Sequence, residues 1–158
     1  VSKSPVPCLI TNIRDWFETA KPDETRSVHD VQVQTGVHFE EIYEMIAEIT
    51  PLSTETDVLL AKAKQAMKDL ADHFKQSTDI VFIIDDDAHV NYLDSLCDQI
   101  VTAIGTAHFM GYDISPAVEE VDASNWSKFI DGQCIKDSNG KIAKGPDYFK
   151  ANLKQFVV

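Results

Sequence analysis

No apolar run in this 158-residue sequence approaches the roughly 20 residues that a membrane-spanning helix needs, and no stretch has the layout of a signal peptide. A soluble, cytoplasmic protein without a membrane partner is the expectation. Basic residues are scarce, 14 Lys and Arg against 26 Asp and Glu, for a formal net charge of -12. Binding nucleic-acid phosphates by counterion release requires clustered Lys and Arg, so no nucleic-acid partner is expected. A nucleotide site in which a divalent metal supplies the positive charge stays open. Cysteine is sparse too: Cys8, Cys97 and Cys134 are far apart, which excludes a disulfide framework and a paired-cysteine zinc site and leaves free thiols in a reducing compartment. A GxxxxGK[ST] loop is missing, which argues against terminal phosphate transfer of the P-loop kind. Alternating strands and helices are missing as well. The one buried-strand candidate lies in residues 79–87, where Ile80-Val81-Phe82-Ile83-Ile84 runs into Asp85-Asp86-Asp87. A strand ending in a phosphate-chemistry aspartate would look like this, but an α/β fold needs several such alternations. The plainer reading is an extended apolar connector whose acids cap the next helix and favour its dipole.

What is present is helical. Hydrophobic content of 44% and charged content of 25% suit an ordinary globular domain of this length. Residues 7–20 carry Leu9, Ile10, Ile13, Trp16 and Phe17 at helical spacing, and Lys21-Pro22-Asp23 ends that helix. Residues 22–34 are polar and poorly periodic, a loop or the run-in to a second helix over 35–49 that Thr50-Pro51 stops. A third helix over 53–77 opens on Ser53, Thr54 and Glu55 and shows one stripe through Leu60, Ala63, Met67, Leu70 and Phe74. A fourth, over 86–111, is apolar around most of its circumference (Leu93, Leu96, Ile100, Val101, Ile104), which predicts a central place in a bundle. Ser115-Pro116 reads as an N-cap with proline at the first helical position, opening a short helix that ends near Phe129 before Asp131-Gly132. Residues 133–137 and 141–143 flank Ser138-Asn139-Gly140, a strong hairpin signal. The closing segment, with Tyr148, Phe149, Leu153 and Phe156, is too apolar to float free and is expected to pack on a helix or subunit. The fold class predicted is all-α over residues 1–158: a four-helix-bundle-type domain with a short extra helix and a small C-terminal β-hairpin, the last two within 115–144.

Two acidic sets stand out. On the second helix Glu40, Glu41, Glu44 and Glu48 gather on one side, and Phe39, Ile42, Tyr43, Ile46 and Ile49 on the other. Like charges at i, i+3 and i, i+4 destabilise a helix slightly, so the cluster calls for either a solvated face or a ligand. On the fourth helix Asp94 and Asp98, one turn apart, lie on the stripe that Val101, Gly105 and Phe109 continue, and are expected to be partly buried. Burial of an unpaired carboxylate costs several kcal/mol, and no Lys or Arg lies anywhere from Val81 to Glu120 to offset it. A metal ion is the economical solution. Oxygen ligands without His or Cys select Mg²⁺ or Mn²⁺, and magnesium commonly shares its shell with substrate phosphates. Displacement at phosphorus is the chemistry suggested.

Glu40-Glu41-x-x-Glu44, followed by an acidic fourth helix, resembles the all-α nucleoside triphosphate pyrophosphohydrolases, the MazG-like group. That group includes dimeric dUTPases, dCTP pyrophosphatases and phosphoribosyl-ATP pyrophosphohydrolase. Asp94-Ser95-Leu96-Cys97-Asp98, Gly105-Thr106-Ala107, Gly111-Tyr112-Asp113, Ser124-Asn125-Trp126-Ser127-Lys128 and Lys144-Gly145-Pro146-Asp147-Tyr148 extend the likeness over residues 35–150. The family pattern is EExxE and then ExxD; here Ser95 stands where that Glu would be, and the gap between the acidic helices is longer than in short members. The resemblance implies Mg²⁺, replaceable by Mn²⁺, held by Glu41, Glu44 and Asp98 with help from Asp94. It implies Glu40 as the residue that orients or deprotonates water, and Asn125 and Lys128 near the phosphates. The products it implies are a nucleoside monophosphate and pyrophosphate, made by a homodimer or homotetramer. Lys144 either adds positive charge to that site or blunts a strand edge. Trp16, Phe17, Trp126 and Tyr148 either stack on a base or fill the core. Rival readings are a dUTP-type or phosphoribosyl-ATP substrate, and a non-catalytic helical binding module stabilised by metal.

Overall fold

The computed structural model describes residues 8–22, 25–136 and 142–157. It is all-α, with five helices and, among the described residues, only two isolated β-bridges. No helix among them is long and apolar enough to cross a membrane. The chain divides into two compact units, one made of Arg26–Asp87 and the other of Val1–Thr25 with Ala88–Val158.

The continuous unit is a helical hairpin of α2 (Val28–Ala47) and α3 (Thr54–Gln76). The start of α2 lies at Val28, well before the expected 35. A reciprocal capping box explains it: the Asp30 N–H donates to Ser27 Oγ, and the Ser27 N–H donates to Asp30 Oδ2 at 2.8 Å. Apolar periodicity could not reveal this turn, because the residues α2 buries here are Gln32 and Gly36. A Cβ at Gly36 would stand 2.9 Å from the Ala71 carbonyl oxygen and 2.9 Å from Lys75 Cγ, so glycine sets how closely the two helices approach. The α3 start is as expected, with the Thr56 N–H donating to Ser53 Oγ at 3.1 Å. Beyond α3, residues 80–85 take no regular secondary structure and join no sheet, as a connector would. Gln32 holds that connector: its amide nitrogen donates to the carbonyls of Phe74, Ser77 and Asp79, and its oxygen accepts from the Val81 N–H at 2.8 Å. Phe82 then packs on Phe74, ring centroids 4.8 Å apart, and Phe74 on Phe39.

The discontinuous unit holds α1 (Leu9–Ala20), α4 (His89–Phe109) and α5 (Ile114–Trp126). Asp86 and Asp87 form a 3-10 turn before α4 but do not cap it; the N-cap is Ala88, with no side-chain bond. Helix α1 packs on α5 around buried Phe129, against which Trp16 stacks at 5.6 Å and Trp126 meets edge-on at 5.4 Å. Both tryptophans are thus half-buried against this unit's core. Asp113, not Ser115, precedes α5, so Pro116 falls inside its first turn. Proline is tolerated there because first-turn N–H groups have no intrahelical partner. Asp131-Gly132 does more than break a helix. Both residues have positive φ, 51° and 72°, and Ile130 and Gln133 exchange backbone hydrogen bonds across them, as in a two-residue turn of the I′ kind. The expected Asn139-Gly140 turn lies outside the described residues. Among the described residues of its arms, a single bridge joins the two, Lys136 to Ile142, and there is no strand. The C-terminal segment packs on α5 as expected: Ser124 Oγ donates to the Phe149 carbonyl, Ser127 Oγ accepts from the Phe149 N–H, and Glu120 accepts from the Asn152 N–H.

Gly36→Val is expected to destabilise the protein by about 1–3 kcal/mol, because the added methyls overpack the closest point of the α2–α3 contact. Urea unfolding measures this, and an unchanged midpoint would contradict the close-approach role.

Candidate functional site

Helix α2 separates its faces much as expected. Phe39, Ile42, Tyr43 and Ile46 are half-buried, while Glu41, Glu44 and Glu48 are exposed; Ile49, expected on the apolar side, is exposed beyond the helix end. Glu40 differs from its acidic neighbours. It sits one and two turns beyond Gly36 and Gln32 on the face toward α3, and its Oε1 accepts a hydrogen bond from Lys75 Nζ at 2.7 Å. The Lys75 ammonium is also 3.7 Å from Asp72 Oδ1, and Asp72 Oδ2 accepts from Lys68 Nζ at 2.6 Å. That last hydrogen bond raises the Lys68 pKa above its ordinary value and lowers that of Asp72. Charges therefore alternate from Lys68 through Asp72 and Lys75 to Glu40, carrying one line of ion pairs from α3 to α2. Lys75 was not among the expected site residues. The i, i+4, i+7 spacing of Lys68, Asp72 and Lys75 was its available signal.

The other acidic pair belongs to α4, in the discontinuous unit. Asp94 and Asp98 are both exposed, not part-buried, because α4 buries only Ala107. Leu93, Val101 and Phe109 on the same helix are 62%, 65% and 90% exposed, so the central place predicted for α4 is not filled by its own unit. Oxygen-only donors suit a hard divalent cation. Among the described residues, no three His, Cys, Asp or Glu side chains are gathered closely enough to hold a metal ion.

At the end of α5 the expected phosphate-binding pair is brought together: Lys128 Nζ donates to Asn125 Oδ1 at 2.8 Å. Lys144 lies over the Tyr148 ring, its nitrogen 4.6 Å from the centroid, and the Gly145 N–H that follows it donates to the Lys128 carbonyl. These residues share one unit; Glu40, Glu41 and Glu44 belong to the other.

Two clefts open between α1 and α5. The larger, about 650 Å³, is lined by Leu9, Asn12, Asp15, Glu119, Asp122 and Trp126. The smaller, about 100 Å³, shares Asp122 and includes Trp16 and Asn125. Asp122 is 8% exposed, and burial raises its pKa. It too was not foreseen. Its signal was position: Val118, Asp122 and Trp126 are successive i, i+4 steps on one helix face, with a carboxylate between two apolar groups.

A raised Asp pKa has a definite sign for stability. Native Asp122 keeps its proton to a higher pH than an unfolded Asp, which titrates near about 3.9. Stability is therefore lost as pH rises from the unfolded value through the native one, and the deficit persists at neutral pH. Asp122→Asn removes that deficit. It is expected to melt higher than the parent at pH 7, with the difference vanishing near pH 3. A variant that melts lower at pH 7 would show that the ionised carboxylate is satisfied in the fold.

Comparison of the chain with models of known protein families, with curated proteins and with solved structures gives no match.

Proposed function

We propose that this protein hydrolyses a nucleoside or deoxynucleoside triphosphate to the monophosphate and pyrophosphate, with Mg²⁺ as its metal. The observation that carries the reading is the contrast among its acids: Glu41, Glu44, Asp94 and Asp98 stand exposed on regular helices, while Glu40 is fixed by Lys75. Their side chains offer the oxygen donors that a hard divalent cation takes. A carboxylate held in one orientation is suited to positioning a water, since one oxygen can keep Lys75 while the other accepts from the nucleophile. Glu41 and Glu44 on α2, and Asp94 and Asp98 on α4, are the proposed ligands of Mg²⁺, which would neutralise phosphate charge. The Lys128 ammonium, steered by Asn125, would meet a phosphate oxygen, and Lys144 adds a further cation in the same unit. The absence of a P-loop favours attack at the α-phosphorus, with pyrophosphate as leaving group. A second copy of the chain is the proposed cover for the exposed apolar side of α4, since a soluble monomer rarely leaves so much contiguous apolar surface open. One observation favours the rival, a metal-stabilised helical module without catalysis: Glu40 already has a structural partner in Lys75, as a carboxylate that only ties two helices together would.

Hydrolysis in ¹⁸O-labelled water tests the reaction. Label is expected in the nucleoside monophosphate, with pyrophosphate released; orthophosphate and nucleoside diphosphate would overturn the mechanism, and no turnover of any nucleotide would favour the module. Millimolar Mg²⁺ is expected to raise the melting temperature over EDTA, with a gain of about 2.7 kcal/mol at about 100 times its dissociation constant. Asp98→Asn is expected to abolish both turnover and that shift, whereas Glu40→Gln lowers turnover and keeps the shift. Equal loss of the shift in both variants would make Glu40 a ligand.

A further inference from the structure

The cleft between α1 and α5 contains none of the residues that the proposed hydrolysis uses. Its volume of about 650 Å³ lies in the range of small-molecule sites and far exceeds the space of a single water, about 30 Å³. Its polar groups are strongly one-sided. Asp15, Glu119 and Asp122 contribute carboxylates and Asn12 an amide, and among the described residues no Lys, Arg or His lines it. Asp15 is already served from outside the cleft, where the Arg14 guanidinium donates to its Oδ1 at 2.7 Å. Asp122 is in the opposite position. It is more than nine-tenths buried, lines both clefts and, among the described residues, has no hydrogen bond or ion pair. In the adjoining small cleft Trp16 Nε1 is a buried donor without an acceptor. The Trp126 ring and Leu9 supply apolar walls.

We propose that this cleft binds an organic cation, an alkylammonium group on a short apolar body, with the Asp122 carboxylate as its counter-ion. The Asp122 residue is largely covered while its oxygens open to the cleft, so a cation arriving there supplies a partner that the fold does not. The N–H groups of an ammonium reach the Asp122 oxygens as charge-assisted bonds. Glu119, exposed at the rim, adds long-range attraction, and the ring of Trp126 offers its negative face to the charge. The alkyl portion takes the side lined by Leu9 and Trp126. An anion would face uncompensated carboxylates. A neutral polar ligand would leave the Asp122 charge unpaired.

Titration of the full-length protein with butylamine, followed by calorimetry and by the two indole N–H resonances at physiological salt, tests the inference. Saturable one-site binding is expected, with the neutral isostere 1-butanol failing to bind. Asp122→Asn is expected to weaken butylamine by about tenfold or more, the loss of a charge-assisted bond. Glu119→Gln, an exposed change that leaves the fold intact, is expected to weaken it by a smaller factor. The Asp94→Asn/Asp98→Asn double variant is expected to bind as the parent does, which separates a cleft site from counter-ions collecting on α4. No saturable binding, unchanged affinity in both cleft variants, or loss of binding only in the α4 double variant would overturn the proposal. None of these outcomes depends on whether the protein hydrolyses triphosphates.

Discussion

Gln32 is the residue on which the α2–α3 unit depends. It is almost fully buried, at 1% exposure, and its one amide serves both sides of the packing problem. Its nitrogen draws in the carbonyls at the C-terminal end of α3, which have no intrahelical donors, and the start of the connector. Its oxygen takes the Val81 N–H, which no sheet partner claims. With three carbonyl acceptors at 3.1 to 3.3 Å, the two N–H groups must be shared, which makes the site a hub and not a single bond. Gly36 follows one turn later and removes the side chain that would hold the helices apart. Lys75 then lies across Gly36 with its ammonium on Glu40, one further turn along. Orientation of the proposed water-positioning carboxylate is thus a consequence of Gln32 and Gly36.

This arrangement explains which parts of the fold were legible in the sequence. Helices α1, α3 and α4 were readable within a few residues because apolar spacing or a capping serine marks them. The first turns of α2 were not, since what they bury is an amide and a glycine, neither of which registers in an apolar pattern. Asp131-Gly132 was readable as an interruption, yet only its positive φ values and the bonds between Ile130 and Gln133 identify it as a turn of its own. Ser115-Pro116 misled by one step, because proline fits any first-turn position and does not by itself fix the cap. Of the candidate site, the acids and the Asn125–Lys128 pair could be named as residue types at a spacing. Lys75 and Asp122 were not, because their importance comes from what packs against them.

Helix α4 shows the limit of periodicity from another side. Its composition is that of a central bundle helix, yet in its own unit it buries only Ala107. Apolar periodicity states that a face needs cover, not what supplies it. The exposure of Asp94 and Asp98 also removes the burial argument for metal at these two residues. As exposed acids they have no desolvation penalty to offset. The case for a cation there rests on donor type and on resemblance to the pyrophosphohydrolase pattern, and no longer on the cost of isolation.

The burial argument applies instead to Asp122. Glu40 and Asp122 are both drawn into helix–helix contacts, one in each unit, and the fold treats them oppositely. Glu40 receives a lysine whose position is set by the closest approach of two helices. Asp122 receives nothing from the described residues, although Asn125 and Trp16, both able to donate, line a cleft with it. Were folding alone to decide, a neutral side chain of similar shape would be the more stable choice at this position. A carboxyl group kept in such a place is an incomplete interaction. The chemistry that the described residues place around it, carboxylates with an aromatic wall and no cation, sets the sign of whatever completes it.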